Sequence, residues 1–302
     1  MHPLAKPLSN KRVMIPRILL TLAFLSCYSL AVNFQELAAV KRLNAEKRYD
    51  EAIQKLEVLA AKTEEAFENF HYLDLAMDIT VKSLKDADRS LRLASTVKDV
   101  AFREFAKLRV LTDFKRYDEA LASVREESIA TWPTRCRGQA YGMLAEIYHK
   151  KMNDTAELEQ WQRAAAEPGS ELGVRGRAHR EAGVLQLKRG DTVKAEESFR
   201  KAIGLTPANY AWRIESLIGL SRLLTQSQRA KDAVEAFTGT DFSQIENVTS
   251  KGHLLEAYAR ALLAAGRRIK AIEAFDQLLQ LNLPTDWKDR INQELDQMAE
   301  NF

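Results

Sequence analysis

At 302 residues, with 46% hydrophobic and 29% charged side chains, the chain has globular composition, rich in the strong helix formers Ala, Leu, Glu, Lys and Arg, and disorder is excluded. The formal charge of +3 is local. Lys6, Lys11, Arg12 and Arg17 all precede residue 32 and no acid does, so the remainder holds 41 basic against 42 acidic side chains, a net charge of −1. A nucleic-acid reader needs a basic excess to neutralise phosphates, so that class of partner is excluded.

Residues 1–31 have the three parts of an export signal: a basic start, an apolar stretch from Ile18 to Val32, and small residues Ser29 and Ala31 that predict cleavage after Ala31. The apolar stretch is short for a helix crossing about 30 Å of hydrocarbon, although an uncleaved anchor stays open. Leu25-Ser26-Cys27 resembles the end of a lipobox, which makes Cys27 a candidate for lipidation. Membrane attachment, if any, is expected only through this segment or that lipid, and the address is exported: periplasm or cell envelope. The one other cysteine, Cys136, reads as a buried small hydrophobe, so no disulfide framework is expected in the body.

From residue 33 to 284 no Pro, Gly or Ser run marks a linker, and one repeating body is predicted. Lys47-Arg48-Tyr49-Asp50-Glu51-Ala52-Ile53 recurs 68 residues later as Lys115-Arg116-Tyr117-Asp118-Glu119-Ala120-Leu121, twice a period of 34. With Ala52 as anchor, comparable alanines follow at Ala87, Ala120, Ala156, Ala195, Ala233 and Ala271, which makes seven units. In the fifth, Gly183, Ala195, Phe199, Ala202 and Pro207 are spaced as in the tetratricopeptide repeat; Ala259, Ala271 and Phe275 repeat the pattern in the last. On these residues the chain resembles the tetratricopeptide repeat family. The resemblance implies an all-α, right-handed α/α superhelix of about seven helix pairs.

Small residues let paired helices approach closely, and Phe199, Phe237 and Phe275, four residues after their anchors, read as bulky inserts between units. Gly190 and Gly266, five before their anchors, suit a left-handed helix end. Asp50, Asp118, Asp154 and Asp191 fall near the start of each second helix, where a carboxylate caps free amides. Pro133, Pro168, Pro207 and Pro284 all fall at predicted joints. Beyond Pro284, over 285–302, Trp287, Ile291, Leu295 and Met298 share one helical face and predict a capping helix.

Catalysis has little support. His2, His71, His149, His179 and His253 include no i, i+4 pair, and glycine-rich phosphate loops and nucleophile elbows are absent, so no enzyme, metal or cofactor is expected. Arg189-Gly190-Asp191 is explained as a helix end followed by a helix cap.

The resemblance implies partner binding in a groove lined by the first helices of the pairs. Its positions fall on Arg109, Tyr141, Tyr148, Arg177, Arg180, Arg222 and Arg260. Arginine forks suit carboxylates, so a protein or peptide partner of acidic character is the expected ligand. An ordinary hydrated face, with these arginines paired to Glu181, Glu215 and Glu256, is the competing account. The function implied is a non-catalytic interaction scaffold of the cell envelope. A helical accessory subunit, an unrecognised enzyme of envelope metabolism, or a structural lipoprotein of an outer-membrane assembly complex stay open.

Overall fold

The computed structural model describes residues 34–207 and 211–300, without the side chains of 298–300. The expectations for residues 1–31, Cys27 and cleavage after Ala31 included, and the side chain of Met298 lie outside the described residues. Every regular element described is a helix.

Where one body spanning 33–284 was expected, packing divides the chain into two compact units, one through Lys98 and one from Asp99. The first unit holds two helix pairs: α1 (34–45) with α2 (Tyr49–Lys62), and α3 (Ala66–Ile79, extended by a π turn over Thr80–Leu84) with α4 (Ala87–Ser95). The second holds five. These are α5 (Val100–Asp113) with α6 (Tyr117–Ser123), α8 (Thr134–Lys150) with α9 (Asp154–Ala166), α10 (Leu172–Lys188) with α11 (Thr192–Leu205), α12 (Ala211–Gln226) with α13 (Ala230–Glu235), and α14 (Val248–Ala264) with α15 (Arg268–Leu279). A single turn, α7 (Glu126–Ile129), follows α6, and α16 (Thr285–Glu300) follows α15. In this unit α5, α8, α10, α12 and α14 pack successively on one another as a layer of first helices.

The turn inside each pair fixes the register. One residue per turn adopts a left-handed conformation: Lys47 (φ 60°), Lys85 (56°), Lys115 (59°), Met152 (56°), Gly190 (80°), Gln228 (60°) and Gly266 (73°). Such a residue ends the first helix with its carbonyls satisfied and starts the chain back. Five residues after each lies the fourth residue of the second helix, which is buried in every pair. It is Ala52, Ala120, Ala195, Ala233 or Ala271 in five pairs, all with no exposed surface.

Two predicted anchors are corrected by this rule. In the second pair the buried residue at this position is Ser90 rather than Ala87, and in the fourth it is Glu157 rather than Ala156; both alanines are partly exposed. The π turn after α3 adds the residues that shift Ser90, whose hydroxyl is satisfied by Thr80 at 2.5 Å and by the Asp86 carbonyl at 2.7 Å. In the fourth pair the cap is Asn153, which accepts from the Ala156 amide at 3.2 Å, so α9 begins one residue earlier than an Asp154 cap places it. Among the predicted caps, Asp191 performs that role for α11, while Asp50 and Asp118 sit inside the first turns of α2 and α6. From Ala120 onward the anchors recur every 37 or 38 residues, a longer step than the 34 read from the heptapeptide pair.

The insert between units is seen best at Phe199, which is 1% exposed. A Cβ on Gly183 of α10 or on Gly219 of α12 would stand 2.9 Å from its ring, so both first helices give up side chains to seat it. Phe237 and Phe275 are buried in the same way. The four prolines fall outside the helices, and Trp287, Ile291 and Leu295 of α16 close the core of the last pair.

This register makes a direct prediction. Ala195→Leu and Ala271→Leu overpack a point of contact and are expected to cost about 1–3 kcal/mol. Ala87→Leu and Ala156→Leu, outside that point, should cost under about 0.5 kcal/mol. Urea midpoints of the four variants check this; equal losses at all four sites would refute the corrected anchors.

Candidate partner-binding face

Side chains at eighteen, fifteen, eleven and eight residues before an anchor are three or four residues apart and share one face of each first helix. In the second unit the position eleven before the anchor is Arg109, Glu146, Val184, Arg222 and Arg260 in successive pairs. Two clefts open on this face. One, of about 520 Å³, is lined by α5, α6, α8, α9 and α10; the other, of about 190 Å³, lies between α12 and α14. In the first unit the same positions of α1 and α3 line an apolar cleft of about 610 Å³ that includes Phe34, Leu37, Leu75 and Ile79.

Arg177 and Arg180 are the centre of the second unit's face. The Arg177 guanidinium lies between two tryptophans, 5.1 Å from the ring of Trp161 and 5.2 Å from that of Trp212, and its Nη2 reaches Glu146 at 2.5 Å. Arg180 covers Trp212 at 5.5 Å, pairs with Glu181 at 2.6 Å and also reaches Glu215. A cation over an indole face is attracted by the ring quadrupole, so these arginines are held by carbon as well as by carboxylates. Burial raises the Glu181 carboxyl above the usual carboxylate range even with Arg180 and Arg177 beside it, helped by the charges of Glu215 and Glu157.

Arg260 pairs with Glu256 at 2.9 Å and with Glu294 of α16 at 2.8 Å. Arg222 is exposed at the 190 Å³ cleft, with no ion-pair partner among the described residues. Arg109 is partly buried in α5. Tyr141 and Tyr148 are elsewhere: Tyr141 is buried with Arg163 of α9 over its ring at 5.8 Å, and the Tyr148 hydroxyl donates to Glu126 of α7 at 2.8 Å. Burial together with that bond pushes the Tyr148 phenol up to about 12.

The tyrosines follow from the register of the fourth pair. With Glu157 as anchor, the positions first read as Tyr141 and Tyr148 become Gly142 and His149, and Glu146 enters the face. Gly142 lies under Trp161, and His149 and Glu146 line the 520 Å³ cleft.

The joint between α10 and α12 is repeated between α14 and α16 with its charges exchanged. Arg180 and Glu256 each precede their anchors by fifteen; Arg180 meets Glu215, three after Trp212, and Glu256 meets Arg290, three after Trp287, at 2.8 Å. His253 stands in the place of Arg177 and packs on Trp287 with ring centroids 4.4 Å apart. Burial opposes the Glu256 charge, but hydrogen bonds from Arg290, Arg260 and Trp287 outweigh it and hold the carboxyl at about 2.

No family model and no curated protein matches the chain. Among solved structures it is similar to BtubC (BKLC) from P. vanneervenii, 17% identical over 73% of this chain and 92% of that one, with a TM-score of 0.51. It is also similar to a tetratricopeptide repeat protein from Parabacteroides merdae (13% identical, 85% and 96% covered, TM-score 0.41). A protein of nearly identical TPR-like repeats from Podosopora anserina gives 18%, 63% and 94%, with a TM-score of 0.42. The likeness to the first is one of fold, an all-α array of helix pairs.

A folded carboxyl near 2 against an ordinary 4.5 stabilises above the ordinary value, and that contribution is lost as pH falls through the interval. Glu256→Gln should therefore lower the thermal midpoint most above pH 4.5, with the gap to the parent closing towards pH 2. A gap that does not change with pH would show that Glu256 acts through packing alone.

Proposed function

We propose that the chain is a non-catalytic protein-interaction scaffold of the cell envelope, which seats an extended segment of a partner on the first-helix face of its second unit. The observation that carries this is the recurrence of one side-chain position, eleven before each anchor, along the packed layer α5, α8, α10, α12 and α14. Such a layer offers a row of evenly spaced contacts, and two clefts open on it. Val184, Arg222 and Arg260 are exposed there, Val184 with 44% of its surface.

The envelope part of the reading rests on residues 1–31, whose basic start, apolar stretch and small residues support export. The acidic partner first expected is less favoured, since Arg177, Arg180 and Arg260 are already paired with carboxylates of the fold.

The test is a crosslinked pull-down from envelope fractions with the parent, a face variant (Val184→Glu with Arg222→Glu) and a control, Val193→Glu, at a residue of α11 that is 78% exposed. Circular dichroism confirms that each is folded. The parent and control should recover the same partners and the face variant should lose them, by at least tenfold. Recovery by all three would place binding elsewhere; a cytoplasmic protein with residues 1–31 intact would overturn the location.

A further inference from the structure

We propose that a cavity of about 720 Å³ lined by α9, α10 and α11 is a binding site for a small organic oxyanion, a phosphate or carboxylate on an apolar body, with Arg175 and His179 as its donors. Both residues lie on the side of α10 opposite to Arg177, Arg180 and Val184, so the site is separate from the first-helix face.

Helix pairing does not call for this space. Gly204 stands inside α11, and a Cβ on it would meet nothing within 4 Å. Gly183 makes room for Phe199 and Gly190 adopts a left-handed turn, but Gly204 does neither, and glycine inside a helix is destabilising relative to alanine. In the sixth pair the corresponding residue, nine after the anchor, is Phe242, which packs on the core. His179, sixteen before its anchor, corresponds to Leu217 and Leu255 of the next two pairs, each 1% exposed. A polar ring and a missing side chain thus line one cavity, where the following pairs place carbon.

The charge of the lining is unbalanced. Arg175, Lys194 and Lys201 stand against one carboxylate, Glu197. Glu197 pairs with Lys201 at 2.6 Å and Lys194 turns to Asp191 at 2.9 Å, both exposed contacts between near neighbours in sequence, which contribute little. Arg175 has no carboxylate: its Nε donates to the Ala165 carbonyl at 3.3 Å, and Nη1 and Nη2 have no partner among the described residues.

His179, one turn along α10 from Arg175, is half-buried, and neither ring nitrogen has a hydrogen-bond partner among the described residues. Burial first, then the charges of Lys201 and Arg175, outweigh Glu197 and hold the imidazole at about 4, so at neutral pH it is uncharged, with one N–H to donate. An oxyanion in the cavity accepts that bond and those of the two free Arg175 nitrogens, and its charge offsets Lys201 and Arg175. Ala165, Ala166, Ala182 and Leu205 leave an apolar wall for the rest of the molecule.

The same change of charge supplies the readout. A bound anion raises the His179 pKa towards its ordinary value, by about one unit where the ligand prefers the protonated form tenfold. The full chain, labelled with ¹³C-histidine, is titrated with phenyl phosphate, 3-phenylpropionate, inorganic phosphate and benzylamine, and the His179 resonance is followed by NMR as a function of pH. At least one of the two aryl anions should shift it saturably and raise its midpoint, and the tighter of the two identifies the anion. Inorganic phosphate should bind more weakly than phenyl phosphate, and benzylamine should leave the resonance still. Arg175→Gln should weaken binding about tenfold or more, the loss expected for one charge-assisted hydrogen bond. Because Arg175 also holds the Ala165 carbonyl, Gly204→Leu is the second variant: its Cβ enters open space, so the protein should fold while the side chain fills the cavity and abolishes binding.

A His179 midpoint that neither aryl anion moves, an equal response to benzylamine, or undiminished affinity in Gly204→Leu or in Arg175→Gln would each overturn the site. Inorganic phosphate binding as tightly as phenyl phosphate would overturn the apolar body.

Discussion

The described helix pairs share one constraint, a buried residue at the fourth position of the second helix, which is alanine or serine in six of the seven. Five residues earlier a left-handed residue reverses the chain, and the two together set which face of each helix is buried. Glycine makes that turn at Gly190 and Gly266 only; lysine makes it three times, and methionine and glutamine once each. A left-handed non-glycine residue costs roughly 1 kcal/mol, and the pair absorbs it because burial of the contact stabilises by more. The anchor is therefore the determining element, and the turn conforms to it.

The charged network on the first-helix face follows from this geometry without holding it together. Pairs such as Arg260–Glu256 and Arg180–Glu215 have one or both partners partly exposed, where an ion pair contributes about 1 kcal/mol or less. The burial of Phe199, Phe275 and the tryptophans supplies more than that. The exchange of sign between the α10–α12 and α14–α16 joints makes the same case: the indoles Trp212 and Trp287 keep their places while arginine and glutamate trade theirs. What the joint requires is the aromatic plate and opposite charges, in either order.

The array was legible from short strings of residues because its rules are local. Alanine anchors, prolines at joints and the apolar face of the last helix all rest on spacing within one unit, and these agree with the structure at Ala195, Ala271, Pro284 and Ile291. The face was legible only in part. An α-helix turns about 100° per residue, so placing the fourth anchor at Ala156 in place of Glu157 rotated the face from Gly142 and His149 onto Tyr141 and Tyr148. Glutamate at an anchor conceals the register from any search for small residues, and the π turn after α3 does the same for Ser90. The left-handed residues Lys85 and Met152 would have located both anchors, but neither residue type announces that conformation. Arg177, Arg180 and Arg260 lie on first helices; that they pair with Glu146, Glu215 and Glu294 depends on neighbouring helices, which no single unit encodes.

Charge along the second unit's face is ordered in sequence as well as in amount. At α8 and α10 Glu146, Glu181 and Glu215 meet Arg177 and Arg180, while at α12 Arg222 stands exposed with no ion-pair partner among the described residues. A segment lying across these helices meets the two signs one after the other. Near a protein surface a like-charge contact costs as much as an opposite one gains, so a segment with its charges in the wrong order differs from a correct one by twice the gain. The near-neutral total of the body, 41 basic against 42 acidic side chains, therefore hides a face on which the two signs are locally segregated.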